Sequence, residues 1–389
     1  MDRKFTNNIF ENDISIEEFD HITDGVEDHV FSKEYLARKE SMMNNTTKAK
    51  ISNLRIKVAA AACAVVVASP FVVNAAMDGA LFNSIWGNEG KTDVPVHQIT
   101  YVEDGKIDEN GNPVSHKVTM PKIEYKEQDP ETAQRLLKDK YTANPVQAKI
   151  GDTTITVESV VRDGMGIVAS YTVEKPGGVD CFNYSQLDNE TKGAWFNEDS
   201  NIMFGFNEGS GKIWVDLAKS TKDKLYCYEY MYDNSALFGP EVSKGITDHI
   251  TLECQEYIDS RANIFKDPQY KEKGDASYIK ETKTVKVPVA DKLETRTLKS
   301  DNLGSIKLSA IAMQWDSTGG KAPKGEAFDS VKSVKITFKD GSVYDMYEFG
   351  KVESVGYICG NETGFISLFN RLVDTNEVDS ITINGTVFK

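Results

Sequence analysis

Residues 153–173 read TTITVESVVRDGMGIVASYTV, two β-branched runs, Thr153–Val161 and Gly166–Val173, joined by Arg162-Asp163-Gly164. Val, Ile and Thr fit a pleated, half-buried surface, and a polar, Gly-containing break between two such runs is what a hairpin requires. The same signal recurs outward from this pair. Asn201–Phe206, Leu225–Tyr232, Ile250–Tyr257 and Thr284–Val289 read as strands separated by loops rich in Gly, Asn, Asp and Lys. The polar stretch ADKLETRTLKSDNLG at 290–304 marks a change of unit. Beyond it, Ser305–Gln314, Ser333–Phe338, Ser342–Tyr347 and Val378–Phe388 form a second set of strands, with Lys339-Asp340-Gly341 as another hairpin turn and TGFISLFNRL (363–372) as the one helix. Short strands at this spacing predict a mainly β protein, built as tandem β-sandwich (immunoglobulin-like) domains over 146–290 and 291–389.

Residues 78–145 read as a stalk. VEDGKIDENGNPVSHKV (102–118) holds the turn dipeptides Asp104-Gly105 and Asn110-Gly111 and predicts hairpins. Asp129 as cap and Pro130 as first residue open a short helix running to Tyr141. Asp108, Asn110 and Asn112 match the first three ligand positions of a calcium loop, but Pro113 stands where Gly is needed and Thr119 where Glu is needed.

Residues 58–77, VAAAACAVVVASPFVVNAAM, carry no charge. As a helix they rise about 30 Å, the thickness of a bilayer core. Lys48, Lys50, Arg55 and Lys57 precede the run, whereas Asp78, Glu89 and Asp93 follow it. The positive-inside rule therefore places the N-terminus in the cytoplasm and 78–389 outside, as a single-pass protein of the cell membrane. A cleaved secretory signal would need its apolar stretch near the N-terminus, and 57 residues precede this one.

The 389-residue chain has a formal charge of −15. Residues 1–57 hold 9 Lys+Arg against 11 Asp+Glu, leaving 36 against 49 for the remainder, so the acidity lies in the outer part. That balance repels polyanions and argues against nucleic acid as a partner. With 40% hydrophobic residues and one apolar run, a multi-span transporter and a largely disordered chain are also excluded.

In the cytoplasmic arm, 1–57, Ile16, Phe19, Ile22, Val26 and Val30 recur at steps of three or four and line one face of a helix, with Ser15 and Glu18 as a capping box. The opposite face carries Glu17, Glu18, Asp20, Asp24, Glu27 and Asp28. An apolar stripe on an arm too short to bury a core fits the groove of a partner, and the five apolar residues are the predicted partner-binding set. His21 and His29 have no Cys beside them in the arm, so a zinc-binding fold is excluded there.

No catalytic signature is found. The five histidines form no HExxH, there is no GxSxG elbow, and EGSGK at 208–212 lacks the spacing and the Ser/Thr of a phosphate loop, reading instead as a plain loop. Neither an enzyme, a metal site nor a cofactor is expected. Cys181, Cys227, Cys254 and Cys359 in the outer part permit two disulfides in three pairings, against the alternative of buried thiols.

The order of parts then carries a resemblance. The acidic arm, the Ala/Val-rich span, ALFNSIW (80–86), ENGNPVSHKVTMPKIEY (109–125), TTITVESVVRDGMGIVASYTVE (153–174), VKITFKDGS (334–342) and VDTNEVDSITINGT (373–386) together resemble a family of Gram-positive bacterial membrane proteins. Those proteins carry an extracellular domain of unknown function and are described as anti-sigma factors. The resemblance implies a sensor whose outer region perceives a surface condition, through an unidentified ligand or protein, while the inner arm restrains a sigma factor. The arm departs from the best-known anti-sigma domains in lacking their cysteine-containing zinc pattern. The competing reading is a cell-surface binding or structural protein in which the β-sandwiches hold a partner.

Overall fold

A computed structural model describes residues 93–107, 113–126, 130–137, 140–142, 145–184, 191–239, 245–318, 320 and 328–389, all within one compact unit. The arm, with Ile16, Phe19, Ile22, Val26 and Val30, and the apolar run 58–77 lie outside the described residues. Among the described residues no helix is long and apolar enough to cross a membrane.

The chain is mainly β. A hairpin of β1 (His97–Ile107) and β2 (Pro113–Met120) comes first, followed by helix α1 (Pro130–Leu137). A large sheet follows, made of β3 (Tyr141–Thr142), β4 (Val146–Ile150), β5 (Thr153–Arg162), β6 (Gly166–Glu174), β7 (Phe182–Tyr184), β8 (Thr191–Phe196), β10 (Gly209–Thr221) and β11 (Lys224–Asp233). Its order is β3-β5-β6-β11-β10-β8-β7, with β4 also paired to β5. Between β8 and β10 the chain leaves to form β9 (Ile202–Phe206), which joins β12 (His249–Tyr257) and β13 (Ile279–Pro288) in a three-stranded sheet.

Two five-stranded sheets complete the unit. One has the order β14-β15-β16-β21-β20, from β14 (Arg296–Ser300), β15 (Gly304–Leu308), β16 (Ala312–Asp316), β20 (Val355–Asn361) and β21 (Gly364–Phe369). The other has the order β19-β18-β17-β22-β23, from β17 (Ser333–Phe338), β18 (Val343–Glu348), β19 (Val352–Glu353), β22 (Val378–Ile383) and β23 (Thr386–Phe388). All the strand pairs within these sheets are antiparallel.

The period-2 rule explains how the sheets stack. On β11, Leu225, Cys227 and Met231 point to one face, into a core shared with Phe204, Phe206, Ile250, Leu252 and Cys254 of the three-stranded sheet. Tyr228, Tyr230 and Tyr232 point to the other face, into a core shared with Ala312, Ile366 and Leu368 of β16 and β21. On β21, Phe365 and Phe369 turn the opposite way, toward Val334, Ile336, Tyr344, Met346 and Ile381 of the last sheet. Four sheets thus lie in sequence with three apolar layers between them. Helix α1 adds Ala133 and Leu137, spaced four apart on one face, to the central layer.

One polar tie crosses the central layer, and a second joins the large sheet to segments flanking the three-stranded sheet. Asp163, in the β5–β6 turn, is buried and accepts from the backbone N–H of Met165 (2.6 Å) and Gly166 (2.7 Å) and from the Ser309 hydroxyl. Ser309 Oγ in turn accepts from the N–H of Ile311 and Ala312, both at 3.0 Å, which shapes the β15–β16 turn. Burial raises the Asp163 carboxyl above its ordinary value, opposed by these hydrogen bonds. The neighbouring Arg162 guanidinium donates to the carbonyls of Ala290 (2.9 Å), Ile246 (2.9 Å) and Thr247 (2.7 Å), satisfying three acceptors of two connecting segments.

Several expectations are corrected. TGFISLFNRL is not a helix: Gly364–Phe369 is β21, buried at all six positions between β16 and β20, and a strand covered on both faces loses the alternation that distinguishes it from a helix. Asp104-Gly105 lies inside β1, at an irregularity of register between Val102 and Ile107, so one hairpin stands where hairpins were expected. Residues 209–212 of EGSGK are not a loop but the start of β10, and a side chain at Gly211 would collide with the Tyr230 backbone. Ser305–Gln314 and Val378–Phe388 are each two strands; the second pair turns at Asn384-Gly385, both at positive φ (50° and 82°). Tyr141, the expected last residue of helix α1, is in β3 instead.

Leu368 is fully buried and seated against Gly166 across the central layer. Leu368→Ala is expected to cost about 2–5 kcal/mol, the range for a buried Leu-to-Ala truncation. Chemical denaturation of the full chain in detergent reads this as a lower midpoint with an unchanged slope.

Candidate functional site

The first described residues meet the last sheets at a junction built from backbone rungs and a side-chain node. After β2, the chain Pro121–Tyr125 runs between two partners. Ile123 exchanges N–H···O bonds with Val94, both 2.9 Å. Lys122 N–H donates to the Lys351 carbonyl (2.7 Å), and Glu353 N–H donates to the Lys122 carbonyl (2.9 Å), so Lys122 adds a parallel rung to the edge of β19. An exposed sheet edge is thereby covered from within the chain. Tyr125 N–H donates to Asp93 Oδ1 at 2.9 Å, closing the segment on itself.

One residue further on, a buried polar node takes over. The Glu124 carbonyl accepts from Asn370 Nδ2 and from Arg371 Nη2, both at 2.8 Å, while Glu124 N–H donates to Ser354 Oγ at 2.8 Å. Arg371 Nε donates to Asn370 Oδ1 (3.2 Å), and the guanidinium lies 3.9 Å from the centre of the Tyr344 ring. The Tyr344 hydroxyl donates to the Ser354 carbonyl and sits 3.2 Å from Asn370 Oδ1. Tyr344, Ser354, Asn370 and Arg371 are all buried. Burial pushes the Tyr344 hydroxyl up to about 12, with the nearby Arg371 charge acting in the other direction. Planar guanidinium over an aromatic face, with its fork spent on a carbonyl and an amide, fixes the geometry of this segment more tightly than a lysine could.

Beside the node is a small cleft. His97, Met120, Pro121 and Ile123 line it from the stalk side, Lys212 and Trp214 from β10, and Glu353 and Val355 from β19 and β20. Lys212 Nζ stands 4.4 Å over the Trp214 ring, and Trp214 Nε1 donates to the Gly356 carbonyl at 3.4 Å. At about 50 Å³ the cleft has room for water molecules and not for an organic substrate. Three parts of the unit meet here: the stalk, the large sheet and the last sheets.

The predicted partner-binding residues Ile16, Phe19, Ile22, Val26 and Val30 lie outside the described residues, as do Asp108, Asn110 and Asn112 of the calcium-like stretch. Among the described residues no group of three or more His, Cys, Asp or Glu is arranged to hold a metal ion. Cys181, Cys227, Cys254 and Cys359 are free thiols, the first three buried in the core between the large and three-stranded sheets. Burial raises the Cys254 thiol to about 12, assisted by Glu253 and opposed by Lys283, so it is inert as a nucleophile at neutral pH. Sequence reasoning missed Asn370 and Arg371. Their signal was two polar residues directly after the apolar run 364–369, both inside the stretch expected to be a helix.

Comparison with known proteins adds little to this geometry. No family model and no curated protein matches the chain. One solved structure, a conserved domain protein from Bacillus anthracis, aligns over 63% of this chain and 78% of its own at 10% identity with a TM-score of 0.32. A likeness at that level carries no argument about function.

Arg371→Ala leaves the half-buried Glu124 carbonyl with one donor fewer and strips the Tyr344 face of its cation. The expected loss is about 1.5–3 kcal/mol, the range for a hydrogen bond from a charged group. Limited proteolysis of the full chain should show faster cleavage within 121–126 while cleavage in the three-stranded sheet keeps its parent rate.

Proposed function

We propose that this chain is a single-pass membrane regulator that resembles an anti-sigma factor. In this reading 1–57 is cytoplasmic and restrains a sigma factor through Ile16, Phe19, Ile22, Val26 and Val30, 58–77 spans the membrane, and the following residues form an extracellular sensing region of tandem immunoglobulin-like sandwiches. The observation that carries the reading is the junction. The segment nearest the proposed span, Asp93–Val94 with Pro121–Tyr125, is bonded to Lys351, Glu353, Asn370 and Arg371 near the far end of the sequence. A change in the last sheets, whether a bound partner or an applied load, therefore acts on the segment that leads to the span without first unfolding the large sheet. Catalysis would not require such a connection, whereas signalling across a membrane does.

Two further observations are consistent with it. Lys48, Lys50, Arg55 and Lys57 crowd the N-terminal side of the apolar run while Asp78 directly follows it, and the arm has an apolar stripe with no core of its own to enter. The test is co-purification with the tagged full chain from its native membrane, beside the double variant Phe19→Ala, Ile22→Ala. A sigma factor recovered with the parent and lost from the variant, with increased transcription from that factor's promoters, is the expected result. Equal recovery and unchanged transcription would remove the arm's role and leave a surface-binding protein on a tether.

A further inference from the structure

Among the described residues, the core between the large and three-stranded sheets holds an acidic side chain without a cationic partner that neither the junction nor the proposed arm explains. Glu229 lies on β11 between Cys227 and Met231 and shares their face. Its cross-strand neighbours are Ile213 on β10 and Ala169 on β6. Continuing the row outward, Ile213 pairs with Ala194 and Ala169 with Val160. The carboxylate therefore stands in a row that is otherwise apolar from β8 to β5. Phe204 and Phe206 of the facing sheet close over its neighbour Tyr171, with ring centres 5.9 and 6.2 Å from the Tyr171 ring.

The Glu229 carboxylate has one hydrogen bond among the described residues, from the Tyr171 hydroxyl at 3.2 Å, and no cationic partner. The other titratable groups around the Glu229–Tyr171 pair are Cys227 on the same strand as Glu229 and Cys181 just before β7; Asp216 on β10 acts on Cys227, and Cys254 on the facing β12 belongs to the same core. None of them supplies positive charge. An ionised carboxylate in such a place lacks most of the solvation it has in water, and a protonated one does not need it.

We propose that Glu229 is a proton-operated switch: protonated, it lets the two sheets close on an apolar core, and ionised, it loosens them at β10 and β11. The strands affected are the ones whose opposite faces matter elsewhere. Lys212 and Trp214, on either side of Ile213, line the cleft at the stalk junction, and Tyr228, Tyr230 and Tyr232 fill the central layer. Loosening behind Ile213 thus reaches the contact between Trp214 and Gly356. The ligand is the proton, and the inference stands whether or not the arm binds a sigma factor.

The direction of the effect follows from linkage. Burial raises the Glu229 carboxyl from an ordinary 4.5 to about 7, with the Tyr171 hydrogen bond opposing the rise. Between those values the folded chain keeps a proton that the unfolded chain has released. The stability from this group is complete below 4.5 and is lost as pH rises through about 7. Depressed carboxylates such as Asp259 and Asp340 exert their dependence below 3.8, outside that window. Asp163 and Glu158 are raised for the same reason as Glu229, so the comparison must be between parent and variant and not on the parent alone.

Thermal unfolding of the full chain in detergent is to be followed from pH 5 to 8, for the parent and for Glu229→Gln. The parent midpoint is expected to fall by several degrees more than that of the variant across the range, with the two profiles diverging from pH 5 up to about 7 and running parallel above that. Profiles parallel throughout would overturn the proposal. If Glu229→Gln does not fold, Tyr171→Phe serves in its place. Removing the hydroxyl withdraws the only support of the ionised form, so the fall in midpoint should extend to higher pH than in the parent, and a profile unmoved along the pH axis would equally overturn it. Hydrogen exchange of the parent at pH 5 and 8, after correction for intrinsic rates, should show deprotection at pH 8 concentrated in β10 and β11. Uniform protection there at both values would count against the switch.

Discussion

The tyrosine face of β11 is the contact on which the rest of the unit depends. Tyr228, Tyr230 and Tyr232 bury their rings against β16 and β21, while the alternate residues of the same strand fill the core on the other side. A strand covered on both faces cannot move without disturbing two layers, because protein interiors are close-packed and respond to displacement as solids do. β21 has the same property one layer further on, with Ile366 and Leu368 facing back and Phe365 and Phe369 facing forward. The four sheets are thus tied in series, each through a strand that belongs to two cores.

Polar groups then fix the register that apolar packing leaves loose. Hydrophobic contact is non-directional, whereas Asp163 with Ser309, Arg162 with three carbonyls, and Arg371 with Asn370 and Glu124 each admit one geometry. All three sets join segments far apart in sequence, and each satisfies backbone groups that would otherwise be buried without partners. The third set differs in what it holds. It secures the segment that precedes the large sheet, so the last strands and the first described residues share one connection.

Much of the strand content was legible. The runs around 153–173, 225–232, 250–257 and 333–347 are strands because β-branched and aromatic residues alternate there with polar ones or fill both faces between clear turns. Legibility failed where burial was two-sided: Gly364–Phe369 has no alternation to read. It failed again where a turn dipeptide sat in a strand, at Asp104-Gly105, and where glycine served close approach instead of a turn, at Gly211. The junction was not legible at all. Asn370 and Arg371 act on a carbonyl some 246 positions earlier, and no local pattern encodes a partner at that distance. The arm and the apolar run were read from charge and periodicity alone, and that reading stands as a proposal.

The account's central claim is that the stalk segment is part of the folded unit and held by its last sheets. Amide hydrogen exchange on the full chain tests it most directly, since protection reports the free energy of opening residue by residue. The account predicts that the amides of Lys122, Ile123 and Glu353 exchange together, at rates close to those of β21. Exchange of Lys122 and Ile123 at the rate of free peptide, with Glu353 still protected, would contradict it.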